Sequence, residues 1–404
     1  MSGSTVAEPL HICMIGTGWL ISEHSRYLAQ NGHNITVIGR EPPPPPVQYM
    51  PIRDIIPLPI VRLVTRFFLV WWAVRRCPAE VFQVHYAANV EAWAVLASGV
   101  RPLVVSTEGS DVFQLNKLLY AGRQATRRLI GQADLVTGRT QTSLDIFQSW
   151  GVHPDKLVLV RGGIDLADFP PQDSTALRQA LGLAPEARVL FSARALRPLY
   201  NIDQIVEAMP LVLAEHPQTV LLITRFNADP AYEQRIQHQI DQLGIAAAVR
   251  LLPEVIPPQD MAKYYSLADV VISVPRSDNF PRTVQEAWAC RRAVLVGDFP
   301  SLHELVTPGE DAYVVPNHAD QIAAGLVTLL GDDALRERLA RAGYARAQAI
   351  SHYTPYIQRL EDRLLELVAA TSAQRTRPDG RIVGWFLRYL FIYSSKILLK
   401  FFKP

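Results

Sequence analysis

Short apolar runs recur along the chain, each followed by a segment of helical length. In the first half they fall at residues 10–15, 35–38, 81–84, 103–105, 135–136 and 157–160. In the second half they fall at residues 189–192, 220–224, 249–252, 270–274, 293–296 and 312–315. Runs this short, rich in Leu and β-branched residues and alternating with helical patterns such as 202–216, 230–243 and 258–267, predict parallel sheets with crossover helices. Two such series predict two α/β domains in succession, over residues 1–168 and 175–350. Residues 334–349 and 354–370 read as long amphipathic helices, the second crossing back to the first domain within 351–370. Prolines 42–46, 51, 57 and 59 remove backbone donors and fix φ, so that stretch is expected as loop or polyproline II.

The length of 404 residues, 49% hydrophobic and 19% charged, supports a large core and two or three domains. A net charge of +2 gives no general case for nucleic-acid binding. Charge is concentrated at the end, where residues 375–404 hold seven cations against the single acid Asp379. Cys13, Cys77 and Cys290 show neither disulfide nor zinc spacing, and the first residues lack a secretory pattern, so a cytoplasmic location is expected. Gly16-Thr17-Gly18 follows the first run and opens a helix, but Ile21 occupies the third glycine position of the dinucleotide fingerprint. Glu41 lies where a ribose-binding acid would sit, which keeps an NAD-linked oxidoreductase as an alternative.

Most of the chemistry lies in residues 273–290, where a strand ends in a polar turn with Asp278 and Asn279, then Pro281, then a helix carrying Glu286 about two turns in. Asn279 is expected to cap this helix and Pro281 to occupy its first turn, leaving amide donors suited to phosphate. Both carboxylates would then face the carboxyl edge of the sheet, where open α/β folds bind ligands.

Asp278 and Glu286, separated by seven residues, resemble the paired acids of the family 4 glycosyltransferases. Matches to the same family run in order through 81–86, Gly109-Ser110-Asp111, 163–169, 264–270 and 303–306. The resemblance implies a GT-B fold, two Rossmann-like domains facing a cleft, and a retaining, metal-independent transfer from a UDP- or GDP-linked sugar. There is then no cofactor beyond the nucleotide-sugar co-substrate. Glu286 would bind the donor ribose, Asp278 the transferred sugar, and Arg194 the diphosphate leaving group. Gly18, Arg197, Glu254, Asn279, Phe280, Pro281 and Arg282 complete the implied donor side, Asn279, Phe280 and Arg282 through backbone amides. His85, Glu108 and Asp111 are placed on the acceptor side, with Glu108 also a catalytic candidate. Three departures matter. Leu199 stands where the family has a phosphate-binding lysine, for which Arg197 or Arg282 is a substitute. Asp278 replaces a glutamate. Glu108 replaces the usual histidine.

Residues 371–380 read as a linker and residues 381–404 as an amphipathic tail. Spanning a bilayer would bury Arg388 and Lys396 at about 2.5–3.5 kcal/mol each. An in-plane anchor on anionic lipid is expected instead, with residues 60–72 as a second contact and docking on the first domain as the alternative. The expected function is sugar transfer to a lipid-linked or membrane-associated acceptor in cell-surface glycan or glycolipid synthesis, peripherally at the inner face of the cell membrane. A non-catalytic nucleotide-sugar-binding protein is the alternative within this fold.

Overall fold

A computed structural model describes residues 8–53, 58–371, 374–375 and 380–401. The chain forms two compact units, Met1–Arg161 with Thr354–Pro404, and Gly162–Tyr353.

The first unit begins with strands β1 (His11–Ile15), β2 (Asn34–Gly39), β3 (Gln48–Pro51), β4 (Val81–His85), β5 (Val100–Arg101), β6 (Leu103–Ser106), β7 (Leu135–Gly138) and β8 (Leu157–Leu159). Its helices here are α1 (Trp19–Gln30), α2 (Pro59–Arg76), α3 (Val90–Ser98), α4 (Ser110–Phe113), α5 (Tyr120–Gln132) and α6 (Gln141–Ser149). Seven strands form a parallel sheet in the order β3-β2-β1-β4-β6-β7-β8. Ile12 of central β1 pairs with Ile35 on one side and Val81 on the other. Helices cover both faces of such a sheet, which explains why β1 is almost wholly apolar and β4 is buried at every position, Gln83 and His85 included.

Strand β3 corrects the expectation of loop throughout the proline-rich stretch. It lies at the sheet edge, where Pro51 is tolerated because only one side of the strand must pair.

The second unit holds β9 (Arg188–Ser192), β10 (Thr219–Ile223), β11 (Val249–Leu251), β12 (Val270–Ser273), β13 (Ala293–Gly297) and β14 (Tyr313–Val315). Its helices are α7 (Thr175–Ala180), α8 (Ile202–Glu215), α9 (Pro230–Gln242), α10 (Met261–Leu267), α11 (Arg282–Ala289), α12 (Ala319–Gly331) and α13 (Asp333–Ile350). The parallel order β11-β10-β9-β12-β13-β14 reverses direction between β9 and β12, which makes the carboxyl ends of these strands the switch point. Helix α13 passes close over α11. A Cβ on Gly343 would lie 2.2 Å from the Trp288 ring, so glycine is required for that approach.

The chain then returns to the first unit through α14 (Thr354–Ala370), β15 (Gln374–Arg375) and α15 (Gly380–Phe401). Gln374 and Arg375 pair antiparallel with β5, so the expected linker contains a short ladder. Arg377, Asp379 and Lys403 lie outside the described residues, as do the side chains beyond Ile392. Helix α15 packs on α5, α3 and α2. Ile382, Phe386 and Leu390, four residues apart, are buried on one face, and Phe386 stacks on Phe67 at 4.1 Å and 8°. The tail's apolar stripe is thus part of the first unit's core. Among the described residues no helix is long and apolar enough to cross a membrane.

Candidate active site

In the second unit β9 and β12 deliver their following loops to the same edge. Arg194, two residues beyond β9, donates from Nη2 to Asp278 Oδ2 at 2.7 Å and from Nη1 to Thr283 Oγ1 at 3.3 Å. Its Cζ lies 4.2 Å over the Tyr200 ring. Burial works against the arginine's charge, yet Asp278 and Tyr200 hold its pKa above the ordinary value. The cation is therefore fixed in place before any ligand arrives.

The loop after β12 is tied by Asp278, whose Oδ1 accepts the Asn279 amide at 2.7 Å and whose carbonyl accepts Ser301 Oγ at 2.6 Å. The expected cap differs. Pro281, not Asn279, is the residue preceding α11, and it has no side-chain acceptor to offer. The Asn279 amide already serves Asp278, so it is not a donor held open for phosphate. Phe280 is buried in the core of this unit and Pro281 is buried beside it.

Glu286 is the fifth residue of α11, one turn in rather than two. Its Oε2 accepts from the Tyr265 hydroxyl at 2.6 Å and its Oε1 from Arg282 Nε at 3.3 Å. Burial, then the neighbouring Glu286 carboxylate, pushes the Tyr265 phenol well above its usual value, so Tyr265 stays a donor. Glu286 opens on a pocket of about 260 Å³ lined by Phe169, Ala193, Thr224, Phe226, Pro253, Glu254, Ile256, Pro258, Met261 and Arg282. Phe226 is 63% exposed there, an aromatic face suited to stacking a base. Arg197 turns elsewhere, donating to the Asn227 carbonyl at 2.7 Å and to Asn227 Oδ1 at 2.6 Å.

The first unit carries a separate pocket of about 260 Å³ at the carboxyl ends of its strands, lined by Gly16, Thr17, Ile38, Gly39, Arg40, Ile52, Arg66, His85, Tyr86, Asn89, Glu91 and Glu108. The glycines permit close approach. A Cβ on Gly39 would lie 2.2 Å from the Gly16 carbonyl, and one on Gly16 would press on His85 at 3.1 Å. Gly18, with φ at +111°, precedes α1 without touching this wall.

His85 is 1% exposed and neither ring nitrogen has a hydrogen-bond partner. Burial lowers its pKa to about 3, so the ring is neutral, edge-on to His24 at 5.0 Å. Glu108 Oε1 is also buried without a partner. Burial, then Asp111, raises the Glu108 carboxyl to about 7 against the pull of Arg139. Unpartnered buried polar groups are costly, and those bordering a cavity mark where a ligand's hydroxyls would be held. Asp111 does not border it. Its oxygens accept the amides of Ala87, Glu108 and Gly109 at 2.8, 3.1 and 2.8 Å, so it shapes the loop that presents Glu108.

A model of the glycosyl transferases group 1 matches residues 173–346, and one of Glycosyltransferase Family 4 matches residues 15–168. The chain belongs to the family 4 glycosyltransferases. Two D-inositol 3-phosphate glycosyltransferases are similar to this glycosyltransferase. That of Jonesia denitrificans is 33% identical over 235 residues, covering 54% of this chain and 55% of that one. That of Acidothermus cellulolyticus is 27% identical over 365 residues, covering 82% and 81%. The matched region thus spans little more than half the length of the first relative. The structure of Anabaena HepE in complex with UDP and glucose shares 18% identity and the GT-B fold, with a TM-score of 0.72 over 89% of this chain and all of that one. Membership of this family removes the oxidoreductase alternative, and Ile21 is buried where the dinucleotide pattern needs glycine.

Sequence reasoning gave no site role to several residues that the two pockets use. Tyr200 has no role in the motif, and Tyr265 lies within the matching segment 264–270 without a role of its own; it is fully buried. Only its adjacency to Glu286 gives it a polar task. Arg40 and Arg66 carry no motif. Arg66 was expected only as part of the 60–72 membrane contact, and it instead borders the first unit's pocket.

Proposed function

We propose that this glycosyltransferase is a retaining, metal-independent hexosyltransferase that moves a sugar from a UDP- or GDP-linked donor to a hydroxyl of a lipid-linked or membrane-associated acceptor. The observation that carries the donor half is the Arg194–Asp278 pair beside the Glu286–Tyr265 pair at one sheet edge. Glu286, its second oxygen steadied by Arg282, accepts from the ribose hydroxyls, while Phe226 and Glu254 border the base. Asp278 accepts from hydroxyls of the transferred sugar. As the bond from sugar C1 to the diphosphate oxygen breaks, Arg194 meets the growing negative charge. The acceptor oxygen bonds to C1 and its proton passes to the leaving diphosphate, so no protein nucleophile is required.

The acceptor half rests on His85 and Glu108, which leave polar atoms unsatisfied at a pocket bordered by Arg40 and Arg66. Peripheral membrane attachment is supported by large apolar side chains on the outer faces of α2 and α15, Phe68, Trp72, Leu387, Phe391 and Ile392, beside Arg76 stacked on Trp72. Three buried free thiols fit a cytoplasmic setting.

Calorimetric titration of wild type and Glu286→Ala with UDP- and GDP-sugars tests the donor reading. Binding of one sugar nucleotide that the substitution weakens more than about tenfold, or 1.4 kcal/mol, supports it. Affinity untouched by the substitution misplaces the site, and binding without turnover of any acceptor favours the non-catalytic alternative. The anomeric configuration of the product, read by NMR, decides retention.

A further inference from the structure

Two guanidiniums of the second unit are anchored on consecutive residues of one turn. Arg194 lies against the ring of Tyr200, and Arg276 Nε donates to Oδ1 of Asn201 at 2.7 Å. Asn201 precedes α8 in a left-handed conformation, φ 52°, and is 4% exposed. Asparagine is favoured before a helix because its side chain caps the first amides, but this one caps nothing. Its Nδ2 instead donates to the Val274 carbonyl at 3.0 Å, which fixes the amide so that Oδ1 faces Arg276. The main chain adds a further tie, the Arg276 amide donating to the Leu199 carbonyl at 2.8 Å. The asparagine is thus explained by the arginine it holds.

A nucleoside diphosphate leaving group carries at least two negative charges, and Arg194 already shares its own charge with Asp278. Leu199, in the same turn, offers none. Arg276 lies two residues before Asp278 on that acid's own loop, is exposed, and forms no ion pair among the described residues. Its bond to Asn201 uses Nε and leaves the Nη pair, the planar fork that suits phosphate oxygens. We propose that Arg276 is the second cation of the donor site, contacting the β-phosphate of the nucleotide beside Arg194. The proposal rests on the donor reading above.

The test compares nucleoside diphosphate with monophosphate, UDP against UMP and GDP against GMP, by calorimetry at fixed salt. Arg276→Ala is expected to weaken the diphosphate about tenfold or more and the monophosphate less than twofold. Adding Leu199→Lys to Arg276→Ala is expected to restore much of the loss, which also separates lost charge from a damaged fold. Equal loss for both nucleotides, or no loss for either, overturns the assignment of Arg276. If wild type binds no nucleotide, or Glu286→Ala leaves binding unchanged, the donor reading itself fails and Arg276 falls with it.

Discussion

Replacing Glu108 by glutamine should stabilise the protein at alkaline pH while impairing its function. In the folded state the carboxyl is held at about 7, against an ordinary value of 4.5, chiefly by burial and then by Asp111, with Arg139 opposing. Near pH 4 the folded and unfolded chains both hold the proton. As pH rises from about 4.5 to 7 the unfolded chain releases it first, so stability falls across that window and the deficit is complete above about 7. A shift of this size corresponds to at most about 3 kcal/mol. Glutamine has the shape of the neutral acid and does not titrate, so Glu108→Gln removes the deficit. For a unit of this size that is on the order of 5–10 °C in the first unit's melting transition at pH 8, shrinking towards zero at pH 5. Differential scanning calorimetry across pH 5–8 measures it. A difference between variant and wild type that does not change with pH refutes the reasoning. If Glu108 orients the acceptor, the same variant loses transfer activity by about tenfold or more, the trade expected where a strained polar group serves binding.

Arg194→Ala should lower kcat by about 10²–10³ in a transfer assay, as for loss of one preorganised group facing developing charge, with a smaller effect on ground-state affinity. Phe386→Ala should destabilise the first unit by about 3–5 kcal/mol in chemical denaturation, because the ring is buried against Phe67. Leu387→Ser with Phe391→Ser should leave stability within about 0.5 kcal/mol, yet reduce co-sedimentation with anionic vesicles; unchanged sedimentation would count against the membrane surface. Gly39→Ala should impair folding of the first unit outright, since its Cβ would lie 2.2 Å from the Gly16 carbonyl, and native-like circular dichroism and melting in that variant would contradict the packing.

The strands were legible because central parallel strands are buried on both faces and write themselves as unbroken apolar runs. Strand β3 was not, since its flanking prolines signal loop and only an edge position lets Pro51 remain in a ladder. Nor was the ladder at Gln374–Arg375, too short to leave any pattern. At the donor site the acids announced themselves through their spacing, but Arg194 and Asp278 meet across 84 positions of sequence, a contact that only the β9–β12 adjacency creates. Asp111 looked like chemistry because it closes the family-matching Gly109-Ser110-Asp111. In the folded chain its oxygens are consumed by three amides. Arg197 carried the right charge in the right segment, yet Asn227 takes its guanidinium.

Because α15 completes a core begun at β1, the first unit is discontinuous in sequence, and this helix leaves the ribosome only after the whole second unit. At about 5–20 residues per second, the chain between Arg161 and the start of α15 takes on the order of 10–40 s to synthesise. During that interval the sheet and α1 to α6 are in place, but the aromatic seat of Phe67 and Trp93 has no occupant. The nascent protein therefore carries a greasy surface that the finished one covers. Premature termination near residue 379 would leave a polypeptide with both sheets encoded but that seat permanently bare, a substrate for chaperones and proteases in place of a working enzyme.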